Sequence, residues 1–200
     1  MEASISFRNV RVGFEEGDVV RGLSFDVYPR ETLVLLGETG TGKTLNLKMA
    51  AGLLKAQGGS VTVLGKTLNV MREKELLAFR REIGFVFQEG ALFDSMTVEE
   101  NVAYRLREEH VSEEEIRPKV IEALRFVELE DAIDLVPSEL SGGMRRRVSI
   151  ARAVVRQLRH DDPVAAAQLD DRNGSDGDLR RLRSDAIRSG LMIVAAGMLT

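Results

Sequence analysis

Val34-Leu35-Leu36-Gly37-Glu38-Thr39-Gly40-Thr41-Gly42-Lys43-Thr44 reads as an apolar strand, a glycine loop and the start of a helix. Leu33 to Leu36 is a continuous apolar run, which suits a parallel strand covered on both faces, and Gly37 ends it where the chain has to turn. From Gly37 to Thr44 the residues fit G-x-x-x-x-G-K-[ST]. Glycines at those positions let successive N–H groups converge on an anion, and a helix beginning near Lys43 adds the positive end of its dipole. Lys43 then serves as a point charge for the β- and γ-phosphates of a nucleotide. The Thr44 hydroxyl serves as a ligand of the Mg²⁺ that bridges them, not as a nucleophile. Glu38 is the discordant residue, because a carboxylate beside phosphates is unfavourable unless it points to solvent, and that orientation is expected here.

Upstream, Ile5, Phe7 and Val10 to Phe14 alternate with polar residues, Glu16-Gly17-Asp18 marks a turn, and Leu23, Phe25 and Val27 alternate again before Pro29. This predicts an antiparallel entry to the loop strand. Phe14, just before the turn, is placed equally well as a platform for a base or as an edge-strand aromatic. Downstream, Leu45 to Leu54 continues the helix to Gly58-Gly59, Ser60 to Leu64 gives a strand, Asn69 to Arg81 a helix, and Ile83 to Phe87 a buried strand closing at Gln88. Strand ends on the phosphate side of an open α/β sheet are where ligand contacts occur, although Gln88 taken alone reads as a solvated loop residue.

Thr97 with Glu100, and Ser112 with Glu115, are capping-box pairs for two further helices, the second carrying Ile116, Val120, Leu124 and Val127. Pro118 sits awkwardly in that second helix, which moves its expected start toward Arg117. The Glu108 to Glu115 charge run reads as a solvated face. Leu140-Ser141-Gly142-Gly143-Met144 then opens a helix running through Val148, Ala151 and Val155, a second place where backbone N–H groups can meet an anion. Arg145 to Arg147 read as a solvated or salt-bridged face.

Composition narrows the classes. With 200 residues and 44% hydrophobic content the chain suits one domain with a real core. Its 28 basic and 32 acidic residues leave a net charge of −4, which gives no electrostatic case for nucleic acid or for adsorption to an anionic membrane. Any membrane partner is expected to be a protein. There is no cysteine, and His110 and His160 are isolated, so no thiolate or imidazole metal site is expected. No apolar run has the roughly 20 residues of a spanning helix, nor does the N-terminus read as a signal peptide, so a cytosolic location is expected.

The order of these features, a phosphate-binding loop, Gln88 closing an apolar strand, a helical insert and LSGGM about a hundred residues after the lysine, resembles the ATP-binding subunit of ABC transporters. The likeness runs from Ile5 to about Val155. Phe14 falls where that family has its adenine-stacking aromatic. Phe87 to Val98 and Asn101 to Tyr104 look like the ATPase of Mla-type phospholipid or toluene-tolerance importers. The resemblance implies an α/β P-loop NTPase of ABC type, with a parallel-sheet core, an antiparallel β subdomain and a helical subdomain over about 89–140. It implies ATP and Mg²⁺ as cofactors, bound by Phe14, Gly37, Glu38, Thr39, Gly40, Thr41, Gly42, Lys43, Thr44 and Gln88, with Thr44 and Gln88 on the metal side. Two subunits would sandwich the nucleotides, so that Leu140, Ser141, Gly142, Gly143 and Met144 act on the partner's ATP. The implied partners are a second copy, an integral-membrane permease and a substrate-binding protein, with the chain on the cytoplasmic face. A P-loop kinase or GTPase would leave LSGGM and the Gln88 segment as coincidences, and a soluble ABC protein acting on DNA or ribosomes is disfavoured by the acidic charge and the Mla-like segment.

After Val155 the chain departs from that family. The expected apolar strand ending in Asp-Glu-Pro is not found; Asp161-Asp162-Pro163 is a degenerate candidate for it. Val164 to Asp171 looks instead like the sequence following a later Leu-Asp-Pro loop, which implies that the metal-supporting Asp and catalytic Glu are missing. Leu182 to Ser189 reads as a helix and Leu191 to Ala196 as a strand, Asn173 to Gly177 as a flexible loop, and no histidine follows His160 where the switch histidine belongs. These departures predict nucleotide binding with hydrolysis near background, or a relic of the family, and make 156–200 a degenerate continuation of the single domain.

Overall fold

The computed structural model describes residues 2–15, 17–29, 31, 33–35, 38, 40–87, 91–156 and 193–195. The alternation at the N-terminus becomes a hairpin of β1 (Ile5–Phe14) and β2 (Gly17–Val27), paired from Ile5 opposite Val27 to Phe14 opposite Gly17. The turn is therefore tighter than Glu16-Gly17-Asp18, since Gly17 and Asp18 already belong to β2. Ile5 and Phe7 and, past an irregularity at Arg8–Asn9 that resets the alternation, Val10 and Val12 are buried, and Phe7 stacks on Phe25 at 4.5 Å between ring centroids.

Two further strands, β3 (Gly58–Val63) and β4 (Lys66–Thr67), complete an antiparallel sheet in the order β2-β1-β3-β4. Helix α1 (Lys43–Ala50) and helix α2 (Glu73–Arg80) bury Met49, Leu76 and Phe79 in the same hydrophobic cluster as Phe7, Val61 and Val63. The helix expected over Asn69 to Arg81 is split, with a 3₁₀ turn at Leu68–Val70 before α2. Burying one large apolar side chain contributes about 1.5–3 kcal/mol, so this cluster is what holds the glycine loop to the sheet.

A second cluster is helical. Helix α3 (Val98–Glu108), helix α4 (Glu113–Phe126) and helix α5 (Gly142–Val154) bury Val102, Leu106, Ile116, Val120, Leu124, Val148 and Val154 against one another and Val86. Thr97 caps α3 as its pattern predicts, accepting from the Glu100 N–H at 3.2 Å while the Glu100 carboxylate accepts from the Thr97 N–H at 2.8 Å. Ser112 sits at the N-cap of α4 but makes no side-chain cap bond, and α4 begins at Glu113 with Pro118 inside it. The apolar stripe of α4 outweighs the roughly 3 kcal/mol that an interior proline costs.

Parallel pairing is present in β5 (Gly84–Val86) and β6 (Ile193–Ala195), the latter within the stretch expected to form the last strand. The predicted strand at Leu33 to Leu36 is not formed: Leu33, Val34 and Leu35 lie outside any strand, with Leu33 and Val34 exposed, and Leu36 falls outside the described residues. A strand exists by pairing, and an apolar run specifies burial without naming a neighbour; no described strand is hydrogen-bonded to these residues. The helix Leu182 to Ser189 and the loop Asn173 to Gly177 also fall outside the described residues.

The charge run is only partly solvated. Glu109 forms an ion pair with Arg156 Nε at 3.2 Å and faces Arg105 Nε at 3.7 Å with its side chain 20% exposed, and Arg105 donates to the Ile83 and Arg80 carbonyls at 3.1 Å each. Nor are Arg145 and Arg147 a solvated face. Arg145 donates to the Leu140 carbonyl at 2.6 Å and Arg147 to the Val127 carbonyl at 3.1 Å, so each satisfies backbone oxygens that regular structure leaves unpaired.

Candidate functional site

Helix α1 starts on Gly42, whose φ of 87° and ψ of 8° place it in the left-handed region, and Asn46 N–H closes the first turn on the Gly42 carbonyl at 3.0 Å. No side chain caps this end, and the first turn holds no acidic residue. The N–H groups and the positive end of the helix therefore face the loop uncompensated, which is the electrostatic requirement for an anion there.

The loop is pinned from behind. A Cβ on Gly42 would lie 2.7 Å from Val20 Cγ2 and 3.3 Å from Val19 Cγ1, so the residues of β2 next to the hairpin turn press directly on it. Gly40 also has a φ of 87°, but a Cβ there would meet nothing within 4 Å. One glycine is demanded by contact and conformation, the other by conformation with open space in front of it.

Within this frame Lys43 Nζ donates to the Glu38 carbonyl at 2.6 Å and lies 3.5 Å from Thr41 Oγ1, which itself donates to the same carbonyl at 2.8 Å. Glu38 is exposed, as are Gly40, Thr41 and Thr44, and Lys43 is half-buried. These two contacts are to neutral oxygens inside the loop, and a phosphate is a stronger acceptor for the ammonium than a carbonyl. The Thr44 hydroxyl is accessible in the first turn, suited to a hard cation bridging phosphates. Gly37, Thr39 and Gln88 lie outside the described residues.

Phe14 ends β1 and is 63% exposed. It belongs to the same hairpin as Val19 and Val20, whose side chains meet Gly42. Among the described residues no group of three or more His, Cys, Asp and Glu is arranged to hold a metal. Asp161 and Asp162 lie outside the described residues.

The LSGGM segment is on the other hydrophobic cluster. Leu140 is buried, Ser141 is the exposed N-cap of α5 and accepts from the Met144 N–H at 3.2 Å, and Gly142 and Gly143 are exposed. A Cβ on Gly142 or Gly143 would come no closer than 3.9 Å or 4.0 Å to any neighbour. Neither glycine is needed for this chain's own packing, although each lowers helix propensity by about 1 kcal/mol relative to alanine.

Two residues that hold the site's surroundings were not read from the sequence as doing so. Asn101 is fully buried in α3; its Oδ1 accepts from the Phe93 N–H at 2.8 Å and its Nδ2 lies within 3.1 Å of the Phe93, Met96 and Thr97 carbonyls. Arg152 lies over the Phe93 ring at 5.9 Å and donates to the Ala91 carbonyl at 2.9 Å. Together they fix the segment that follows Gln88. An asparagine on the apolar face of a capped helix was the available clue.

The sequence model of the ABC transporter family matches residues 20–161. The spermidine/putrescine import ATP-binding protein PotA of Mannheimia succiniciproducens is 37% identical over 182 residues, 90% of this chain and 48% of that protein. PotA of Haemophilus influenzae is 41% identical, covering 76% and 39%. The sn-glycerol-3-phosphate import ATP-binding protein UgpC of Cereibacter sphaeroides is 38% identical, covering 77% and 43%. The chain therefore spans less than half the length of these curated relatives. Among solved structures, the dimeric post-hydrolysis state of the ATP-binding cassette MJ0796 with ADP and Pi superposes with a TM-score of 0.79 at 25% identity, covering 98% of this chain and 88% of that one. The cbiO1 protein of Clostridium perfringens shares the fold at a TM-score of 0.81, with 100% of this chain and 80% of that chain covered at 23% identity.

Proposed function

Since the chain belongs to the ABC transporter family, we propose that it is the nucleotide-binding subunit of an importer, binding ATP with Mg²⁺ and working as one of a pair beneath a membrane permease. The observation that carries this reading is the uncapped N-terminus of α1 behind a loop that β2 holds in shape, with the Lys43 ammonium resting on exchangeable oxygens. Lys43 would take the β- and γ-phosphates, the N–H groups from Gly40 to Thr44 the remaining phosphate oxygens, Thr44 the Mg²⁺ and Phe14 the base. Bound there, Mg²⁺ would neutralise charge on the phosphates.

Gly142 and Gly143 support pairing, because a close approach that this chain does not make itself has to come from outside it. The dimeric cassette among the structural neighbours supports the same arrangement. In that reading Ser141 and the first N–H groups of α5 act on the nucleotide of the second subunit, and Gln88 reports to the permease. No helix among the described residues is long and apolar enough to cross a membrane, which suits a subunit attached through such a permease at the cytoplasmic face. The PotA and UgpC relatives support a small polar solute as cargo and a substrate-binding protein as a further partner. The phospholipid reading of Phe87 to Tyr104 finds no support among them, and the similarity does not favour the relic reading.

Titration of the purified chain with MgATP tests the proposal. Saturable binding that Lys43→Ala lowers by at least about tenfold is expected, since a charge-assisted contact contributes about 1.5–3 kcal/mol. Binding untouched by that substitution would overturn it. Turnover on the same protein decides the second half: hydrolysis near background is expected from the missing Asp-Glu-Pro strand, and steady Lys43-dependent turnover would instead locate a working carboxylate elsewhere in the chain.

A further inference from the structure

The hairpin that carries Phe14 is held on its second side by a side chain that mimics a peptide group. Along β1 the ladder to β3 ends where Arg11 lies opposite Gly58, and the Gln57 N–H donates to the Arg11 carbonyl at 2.9 Å. Two residues on, the N–H and C=O of Gly13 face the same edge, because backbone groups repeat their direction every second residue of a strand. There is no β3 backbone left to meet them. The Gln57 amide meets both: the Gly13 N–H donates to Oε1 at 2.9 Å, and Nε2 donates to the Gly13 carbonyl at 3.0 Å. One acceptor and one donor on a planar amide extend the ladder by a rung, using a residue 44 positions away.

The rung falls where the strand is least able to adjust. Gly13 is buried, a Cβ on it would lie 2.4 Å from the Gly17 carbonyl oxygen, and a register shift separates Val12 from Gly13. Phe14 is the next residue. Its backbone is therefore fixed from one side by β2, whose Val20 presses on Gly42, and from the other by Gln57. Without the amide, two buried backbone groups beside Phe14 would seek water, and the end of β1 would lift from β3.

We infer that Gln57 is a positioning residue for the nucleotide base: it touches no ligand, and through Gly13 it sets the placement of the Phe14 ring against the glycine loop. The inference rests on the reading of Phe14 as the base platform. It makes adenine recognition, and not phosphate recognition, depend on an amide on the far side of the sheet edge.

Isothermal titration of the full chain with MgATP and with magnesium tripolyphosphate, which has no base, separates the possibilities. The wild type is expected to bind MgATP more tightly than tripolyphosphate, and Phe14→Ala to lose that advantage. Gln57→Leu removes both hydrogen bonds, and Gln57→Glu keeps an acceptor for the Gly13 N–H while turning a carboxylate oxygen toward the Gly13 carbonyl. Both variants are expected to lose roughly tenfold in MgATP affinity, the scale of one base–aromatic stack, with tripolyphosphate binding unchanged as proof that the loop is folded. If both Gln57 variants keep the full preference for MgATP while Phe14→Ala loses it, the inference is overturned and the Phe14 platform stands. If they weaken the two ligands equally, Gln57 supports the fold alone and the inference is again overturned. A Phe14→Ala variant that keeps the preference removes the platform itself, and the inference with it.

Discussion

Two glycine-containing helix starts sit on two separate cores, and their glycines answer to different neighbours. At the start of α1, Gly42 has a left-handed backbone and no room for a Cβ beside Val20. At the start of α5, Gly142 and Gly143 are helical with nothing within 3.9 Å of a Cβ. The first start draws its hairpin, its lysine and its uncapped helix end from residues 5–44 of this chain. The second is well made as a helix, with Ser141 capping it and Arg145 holding the Leu140 carbonyl, but its glycines serve no intramolecular purpose. A glycine kept where alanine would fit better marks a surface shaped for something else.

Gly42→Ala is the largest test of that contrast. A left-handed non-glycine residue costs about 1–2 kcal/mol and overpacking against Val20 adds about 1–3, so the chain should lose roughly 2–5 kcal/mol and its affinity for MgATP together. Denaturant unfolding and nucleotide titration read the two losses. An unaltered midpoint would mean that the hairpin does not press on the loop. Ser141→Ala comes next, with an expected loss of about 1 kcal/mol from the missing cap and no change in MgATP binding by the isolated chain. Gly143→Ala should go the other way, stabilising the isolated chain by up to about 1 kcal/mol through helix propensity while impairing ATP-dependent pairing. A Gly143→Ala chain that is destabilised would show that the position is constrained from within, and the contrast with Gly42 would fail.

The parts of this structure that were legible in the sequence are those with a local physical cause. Alternation made β1 and β2 readable, the Thr97 and Glu100 pair announced the start of α3, and the glycine spacing announced the loop and α1. Most of what failed was non-local. Leu33 to Leu35 has a strand's composition and no described partner, and Ser112 with Glu115 has a capping box's spacing without the cap bond. Arg147 looked like solvated charge because the carbonyl it holds is 20 residues upstream, whereas Arg145 turns back on Leu140 of its own segment, a contact that its charge run does not announce. Gln57 gave no sign at all, since its partner is 44 residues away and an amide acting as a peptide group leaves no periodic trace. At the candidate site, residue types were legible from the loop motif, whereas the pinning of Gly42 and the clasp on Gly13 belong to tertiary structure.

The smallest expected effect again separates the two helix starts, by acid. The hairpin behind the glycine loop is clasped at its open end by Arg8, whose Nη2 lies 2.7 Å and 2.8 Å from the two Asp26 carboxylate oxygens. That hydrogen bond from Arg8, followed by one from Ser6, holds the Asp26 carboxyl below its ordinary range. A carboxyl whose folded pKa is depressed adds stability that is present above its unfolded pKa, about 3.9, and is lost as pH falls through the lower folded value. At the LSGGM start the cap is the Ser141 hydroxyl and the Leu140 carbonyl is held by Arg145, so neither contact contains a carboxylate. Thermal unfolding of wild type and Asp26→Asn between about pH 7 and pH 2.5 should therefore show a gap that is constant above about pH 5 and closes toward the acid end. The gap should be small, because the pair is open to solvent and salt screens it. For Ser141→Ala the corresponding gap should stay flat over the same range. Parallel behaviour of the two variants would mean that the clasp on Asp26 does not stabilise the hairpin, leaving the contact of Val20 with Gly42 to hold the loop without it.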